Sequence, residues 1–319
     1  MAKFDKRGIK PMSDTDVIFV ESGWIKAPEF VSEMMATEPI KTWQDTDASY
    51  VSFDNIPDSM IGAEIAKKAI GKKLPDYSQG SVGSCVGFGT TKSVELTNLY
   101  EIAISKEKEE FHTLAQEVTY AGSRVEVGGG KFVGDGSIGA YAVKFLRDWG
   151  AVERAKYPSI DLTVYDEAQC RRLGKTGLSV EMEGIAKKHP IKSFTKITNF
   201  KDACVALAQG YFITICSSQG FKSSRNDLGF AIASGRWGHC MCISGYQIKR
   251  GSNKLRSGCV IDNSWGDNWI SGPKGPFDIN DGAFWADEEV ITSMLAEGDS
   301  YAVSSFAGFP KKDVIDWNF

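Results

Sequence analysis

The 319-residue sequence predicts an α+β protein in which a helical lobe is followed by a β-rich lobe. Between about residues 74 and 175, apolar residues recur at helical spacing, as Val143, Leu146 and Trp149 show. From about residue 176 onward, short apolar runs alternate with turn residues, which predicts strands. These runs are residues 211–216, 239–248, 259–263, 282–285 and 301–306. Helices followed by strands in sequence are typical of the α+β class.

Composition limits the classes of function. Hydrophobic residues make up 42% of the chain, which is enough for a substantial core, and the net charge is only −4. Acidic and basic residues are interspersed, so no basic stripe predicts nucleic-acid binding. The longest apolar runs are too short to cross a bilayer, so no membrane partner is expected.

Residues 79–85 place a single cysteine, Cys85, behind a glycine-rich turn and before a helical pattern. One face of that helix collects apolar residues, namely Phe88, Leu96, Leu99 and Ala103. Cys85 is therefore expected in the first turn of an amphipathic helix, where free N–H groups and the helix dipole lower a thiol pKa. The alternative is a cysteine that only packs in the core.

His239 is the histidine most suited to act as a proton partner. It opens the apolar run 239–248, whereas His112 and His189 lie in charged or loop-like surroundings. The next apolar run ends in Asn263, with Trp265 close behind. An Asn oxygen can accept an imidazole N–H, and a Trp can shield that bond from water.

A zinc site at the same place is the alternative, since His239 is followed by Cys240 and Cys242. Strand alternation sends both cysteines to the face opposite the imidazole, so no metal is expected.

With these motifs in this order, the sequence resembles the papain-like cysteine peptidases, whose signature is an early Cys with His and Asn far downstream. Gln79 stands six residues before Cys85, as the family's oxyanion glutamine does, and residues 263–266 repeat its Asn-Ser-Trp-Gly. Further matches are residues 114–117, residues 134–137, Gly150 and Tyr157-Pro158. The resemblance runs from about residue 74 to about residue 290.

The resemblance implies a papain-like two-lobed fold, with a β-barrel-like second lobe and an active-site cleft between the lobes. It implies peptide hydrolysis by a thiolate–imidazolium pair of Cys85 and His239, oriented by Asn263, with Gln79 in the oxyanion hole. It implies no cofactor and a polypeptide substrate. The residues implied to bind that substrate are Gly83, Gly136, Ser137, Gly238 and Trp265.

Several positions depart from the family. Val82 and Gly134 stand where the family has two half-cystines, and their joint absence suggests folding in a reducing compartment. Residues 1–12 are basic and no apolar segment follows, so an intracellular location, or one within a viral particle, is expected for a bacterial- or viral-type member. Val86 and Gly238 also differ from the family, and substrate specificity therefore cannot be carried over.

Residues 1–73 form an N-terminal extension that precedes the helical lobe (74–175) and the β-rich lobe (176–319) in this prediction. An inhibitory pro-segment would lie along the cleft, whereas an anchor would pack on an outer face or a partner protein and leave the cleft open. Prolines interrupt the extension and favour the anchor, namely Pro11, Pro28, Pro39 and Pro57.

Two other functions remain compatible with the sequence. The chain could be a peptidase-derived structural or docking component of an assembly such as a virus particle. It could also be an amidase or transpeptidase acting on cell-wall peptides, because the same thiol–imidazole chemistry serves those reactions.

Overall fold

The computed structural model describes residues 18–19, 23–104 and 110–316. The α+β class predicted from the sequence is confirmed, because helices and a mostly antiparallel sheet occupy different parts of the chain. The expectation about residues 1–12 lies outside the described residues.

The helices are α1 (Pro28–Thr37), α2 (Gly62–Ile70), α3 (Cys85–Ile104), α4 (Gln116–Gly122), α5 (Gly139–Asp148), α6 (Glu167–Thr176), α7 (Val180–Ala186), α8 (Phe200–Ala208) and α9 (Glu288–Leu295). The strands are β1 (Ile18–Phe19), β2 (Ser59–Ile61), β3 (Phe132–Val133), β4 (Ser193–Lys196), β5 (Ile213–Arg225), β6 (Ala231–Gln247), β7 (Gly258–Asp262), β8 (Ala283–Asp287) and β9 (Tyr301–Ser304).

Three helix starts follow directly from the local sequence. The side chains of Asp166, Ser179 and Asn199 each accept a backbone N–H three residues later, at the starts of α6, α7 and α8. Short polar side chains are preferred at this position because they satisfy N–H groups that have no partner within the helix.

Helix α3 runs through the middle of the molecule and is buried around most of its circumference, including polar residues such as Lys92 and Glu95. The expectation of an amphipathic helix is therefore wrong, because strands of the other lobe cover the face that would otherwise meet water. Two glycines permit this close packing. A Cβ on Gly87 would lie 2.6 Å from the Gln116 carbonyl oxygen, and one on Gly89 would lie 2.8 Å from that of Met241.

The main sheet has the strand order β4-β9-β5-β6-β7-β8, and β2 pairs with β6 outside this path. Antiparallel pairing sets Ser217 of β5 opposite His239 of β6, and Cys242 of β6 opposite Asp262 of β7. Asn263 follows β7 directly, so the register brings it next to the strand that carries His239.

Residues 43–74 pack as part of the β-rich lobe. Strand β2 joins the sheet, and Trp43, Ile65 and Leu74 belong to the same buried core as Phe212. The helical lobe in turn extends past residue 175, because Met182 of α7 shares the core of α5. Within residues 23–104 and 110–316, no helix is both long and apolar enough to cross a membrane.

Candidate active site

Cys85 is the first residue of α3, and its side chain is completely buried. Burial raises the pKa of the Cys85 thiol, and the neighbouring Cys240 thiol raises it further. Backbone N–H groups of Cys240, Val86 and Cys85 itself lower the thiol pKa but do not offset burial. The expected low thiol pKa is therefore wrong for this structure, because water is excluded from the sulfur.

His239 and Asn263 meet as the sequence predicts them to do, with His239 Nε2 2.7 Å from Asn263 Oδ1. The same oxygen accepts the backbone N–H of Ser264 at 2.7 Å. Because an amide oxygen only accepts, Nε2 carries the ring hydrogen and Nδ1 keeps a lone pair. The Trp265 ring lies over the imidazole, with the two ring centroids 4.7 Å apart. His239 is thereby oriented to accept a proton at Nδ1.

Cys85 and His239 form no hydrogen bond to each other among the described residues. Burial lowers the pKa of His239 to about 4, although the bond to Asn263 raises it. A raised thiol pKa and a lowered imidazole pKa both favour the neutral forms of these two side chains. The ion pair implied by the resemblance is thus not formed in this closed arrangement.

Gln79 connects the two lobes. Its Nε2 donates to the Val82 carbonyl at 2.8 Å, and its Oε1 accepts the Ser264 hydroxyl at 2.7 Å. The backbone N–H of Gln79 also donates to the Ser264 carbonyl at 2.8 Å. A carboxamide has two N–H groups. The second one makes no hydrogen bond among the described residues.

A short part of the N-terminal extension, residues 23–26, lies between the two lobes, and we call it the strap. Trp24 N donates to the Gly238 carbonyl at 2.8 Å, Ser137 N donates to the Gly23 carbonyl at 3.0 Å, and Ile25 N donates to the Ser137 carbonyl at 3.0 Å. The strap therefore hydrogen-bonds to both walls of the cleft, in parallel with the chain at Ser137.

Gly23 of the strap lies directly over the sulfur. A Cβ at this position would lie 3.4 Å from Cys85 Sγ and 2.2 Å from the Gly238 carbonyl oxygen, and Gly23 has a φ of 69°. Only glycine fits here without strain. The strap thus lies between the lobes, with Gly23 over the Cys85 sulfur.

The predicted substrate-binding residues lie in three different settings. Ser137 and Gly238 bind the strap backbone, and Gly83 faces Gly23, since a Cβ on Gly83 would lie 2.7 Å from Gly23 N. Trp265 covers His239. The Gly136 N–H instead donates to the Tyr120 hydroxyl at 3.1 Å, and Gly136 therefore positions its own loop.

Two strap contacts were missed by the sequence reasoning. Trp24 Nε1 donates to Asp299 Oδ2 at 2.6 Å, and Lys26 Nζ lies 2.8 Å from Glu297 Oε2. The carboxyl groups precede β9, about 275 positions along the chain from their partners. The available signal was the tryptophan itself, Trp24, next to Ile25 in a segment that prolines interrupt.

Trp237 was also missed. Its ring centroid lies 4.7 Å from that of Trp265, and Trp269 completes an aromatic wall beside the imidazole. Strand alternation was the available signal, because residues 237 and 239 point to the same side of β6.

No protein-family model and no curated protein matches the sequence. Among solved structures, xylellain, a cysteine protease from Xylella fastidiosa, is similar with a TM-score of 0.61 and 15% sequence identity, covering 92% of this chain and 100% of that chain. The proform of the ragweed pollen cysteine protease Amb a 11 has a TM-score of 0.51 and 16% identity, covering 86% of this chain and 74% of its own. A stem bromelain precursor has a TM-score of 0.52 and 17% identity, covering 89% of this chain and 76% of its own.

These similarities extend over both lobes, as the coverage of this chain requires. The chain therefore has the two-lobed fold of the papain-like cysteine proteases.

Proposed function

We propose that this chain is a latent cysteine peptidase whose cleft is closed by its own strap. One observation carries the proposal. An extended piece of polypeptide is held by backbone hydrogen bonds at Ser137 and Gly238, directly over the sulfur of Cys85. A cleft that binds a peptide backbone beside a thiol and an oriented imidazole has the parts that peptide hydrolysis requires.

The chemistry begins when a substrate replaces the strap. His239 Nδ1 takes the proton of the Cys85 thiol, and the sulfur attacks the peptide carbonyl carbon. The oxyanion accepts hydrogen bonds from the Cys85 backbone N–H and the free N–H of Gln79. His239 then protonates the leaving amine, and the C–N bond breaks to give a thioester. A water molecule that loses its proton to His239 attacks the thioester, which releases the acid and the free thiol.

Latency follows from the same contacts. Cys85 is completely buried with Gly23 of the strap over its sulfur, and burial disfavours both the thiolate and the imidazolium. Two of the similar solved structures are described as a proform and a precursor, which agrees with a cleft filled by the chain's own N-terminal part.

The experiment compares the full chain with its Trp24→Ala variant, using a peptidyl epoxide and intact-mass detection. Loss of the indole weakens the strap, so the variant should be labelled at Cys85 at least about tenfold faster and should hydrolyse a peptide library. Cys85→Ala should take up no label. Tyr50→Ala, which removes an aromatic ring that is 81% exposed in the same extension, should behave like the full chain.

Other outcomes decide between the alternatives. A folded Trp24→Ala variant with neither labelling nor hydrolysis would contradict the proposal and favour a structural or docking role. Labelling of Cys85 with cleavage of cell-wall peptides alone would favour an amidase or transpeptidase.

A further inference from the structure

Two buried cysteines lie opposite each other on neighbouring strands, close to Cys85. Antiparallel pairing sets Cys216 of β5 directly opposite Cys240 of β6, and we call these two residues the thiol pair. The Cys216 N–H donates to the Ser300 hydroxyl at 3.3 Å, and the Cys240 N–H donates to the Cys85 thiol, so neither N–H crosses between β5 and β6. In such a non-hydrogen-bonded pair the two Cα atoms lie about 4.5 Å apart and the side chains are close together.

The side chains of the thiol pair are in contact. Burial raises the pKa of the Cys216 thiol, and its hydrogen bond with the Cys240 thiol raises that pKa further. Cys240 Sγ in turn lies 3.2 Å from the hydroxyl oxygen of Thr214. Both cysteines are free thiols and completely buried. Disulfides join residues whose Cα atoms are about 4.4–6.8 Å apart, so the separation of the thiol pair falls within the range that a disulfide can span.

The strap covers the thiol pair. Trp24 belongs to the same buried cluster as Cys216 and Cys240. Its Nε1 donates to Asp299 Oδ2 at 2.6 Å, and a Cβ on Gly139 would lie 2.8 Å from that oxygen and 2.7 Å from Cys216 Sγ. The inner end of the indole and the Cys216 sulfur therefore adjoin the same backbone position. When the strap leaves the cleft, Cys216 loses a side chain that covers it.

We infer that the thiol pair is a site of reversible oxidation, which closes to a disulfide once the strap has left the cleft and then slows the reaction of Cys85. The inference rests on the proposed function only in that the strap leaves. The oxidant is a small organic disulfide. The Cys216 thiol loses its proton and attacks one sulfur of the oxidant, which releases one thiol and leaves a mixed disulfide. The Cys240 sulfur loses its proton and attacks the Cys216 sulfur, which releases the second thiol. Two protein thiols are thereby oxidised and one disulfide is reduced to two thiols.

The disulfide acts on the site through strand β6. Cys240 directly follows His239, and its backbone N–H donates to the Cys85 thiol. A Cα separation of about 4.5 Å is short for a disulfide, whose usual separation is about 5.5–6 Å. Closing the bond therefore moves β6 away from β5 and displaces both the Cys240 N–H and the imidazole from the Cys85 sulfur. A displacement of about 1 Å in reacting groups can lower a rate about 100-fold.

The first test asks whether the thiol pair closes. It uses full-length protein with Cys85→Ala, alone and together with Trp24→Ala, so that the Cys85 sulfur takes no part. Each protein is incubated with hydroxyethyl disulfide, free thiols are blocked with N-ethylmaleimide, and mass spectrometry identifies the linked peptides. Cys216 and Cys240 should become linked to each other, at least about tenfold faster in the variant that also carries Trp24→Ala, because oxidation follows exposure.

Cys204 and Cys259 provide the matched control. Their thiols are also hydrogen-bonded to each other and completely buried, but they belong to the core around α8 and β7, which Trp24 does not join. They should stay reduced in both proteins. In the Trp24→Ala protein, single reactions of Cys216 or Cys240 without a link between them would contradict the pairing. No reaction of either thiol, or linking of the control cysteines at the same rate, would contradict the claim that the strap covers the thiol pair.

The second test measures the effect on Cys85 in full-length Trp24→Ala protein, with and without Cys216→Ala. After oxidation, a short treatment with mercaptoethanol releases Cys85 from any mixed disulfide and leaves an internal disulfide in place, because its two thiols stay close together. Iodoacetamide should then alkylate Cys85 at least about tenfold more slowly in the protein that retains Cys216, and dithiothreitol should remove the difference.

Equal alkylation rates in the two proteins would overturn the effect on Cys85. Neither test depends on peptide hydrolysis, so the two proposals fail separately. A thiol pair that closes in a protein without hydrolytic activity would contradict the proposed function alone, whereas a hydrolytic protein whose thiol pair never closes would contradict this inference alone.

Discussion

Gln79 connects the two lobes and, in the mechanism that we propose, donates a hydrogen bond to the oxyanion. Replacing it by alanine removes the carboxamide N–H that faces no partner and also the acceptor of the Ser264 hydroxyl. We expect Gln79→Ala, in the Trp24→Ala background, to lower kcat about 100-fold with KM within about threefold, because the lost donor acts on the oxyanion. Steady-state kinetics on a cleaved peptide measures both constants.

Ser264→Ala is the matched control at the residue scale. It removes the 2.7 Å bond to Gln79 Oε1 and keeps the N–H donors of Gln79. The loss in kcat should stay below about fivefold, because only the positioning of the carboxamide changes. Equal losses in the two variants would show that Gln79 acts by tying the lobes together.

Helix α3 is held against the sheet by close backbone contact at Gly89. A Cβ there would lie 2.8 Å from the Met241 carbonyl oxygen, which is backbone and cannot rotate away. Gly89→Ala should therefore separate α3 from β6 and lower the free energy of unfolding by about 1–3 kcal/mol. Urea unfolding followed by far-UV circular dichroism measures the change.

Gly184→Ala provides the comparison at the scale of an element. Gly184 lies inside α7, and a Cβ there meets nothing within 4 Å. Alanine should raise the free energy of unfolding by about 0.5–1 kcal/mol, because it lowers the backbone entropy of the unfolded chain. A destabilisation of similar size in both variants would mean that close packing is not what makes Gly89 necessary.

At the scale of the whole molecule, local sequence patterns predicted the positions of site residues that adjoin a helix or a strand. Cys85 begins a helix and Asn263 directly follows a strand, and both positions follow from local periodicity and turn residues. The strap could not be placed in this way, because Trp24 and Asp299 come from opposite ends of the chain and no periodic pattern connects them. The prediction of a low Cys85 thiol pKa was wrong for the same reason, because that pKa depends on which distant residues cover the sulfur.

Two buried groups give the stability of the whole molecule opposite pH dependences. Burial raises the pKa of Glu95 to about 7, although the Leu114 N–H and nearby Lys92 lower it. Between the ordinary value of 4.5 and about 7 the folded state binds more protons than the unfolded state, so the Glu95 contribution is present at low pH and lost as pH rises. Burial lowers the pKa of His239 from 6.5 to about 4, so its contribution to stability has the opposite pH dependence. That contribution is lost as pH falls from 6.5 to about 4.

Glu95→Gln and His239→Gln separate these contributions. The difference in free energy of unfolding, wild type minus Glu95→Gln, should fall by about 3 kcal/mol as pH rises from 4.5 to 7, because the glutamine has no proton to lose. The same difference for His239→Gln should rise by a similar amount between pH 4 and 6.5. Urea denaturation at half-unit pH steps measures both slopes. Slopes of equal sign would contradict the assignment of opposite linkages, since a carboxyl kept neutral and an imidazole kept neutral by burial must respond to protons in opposite directions.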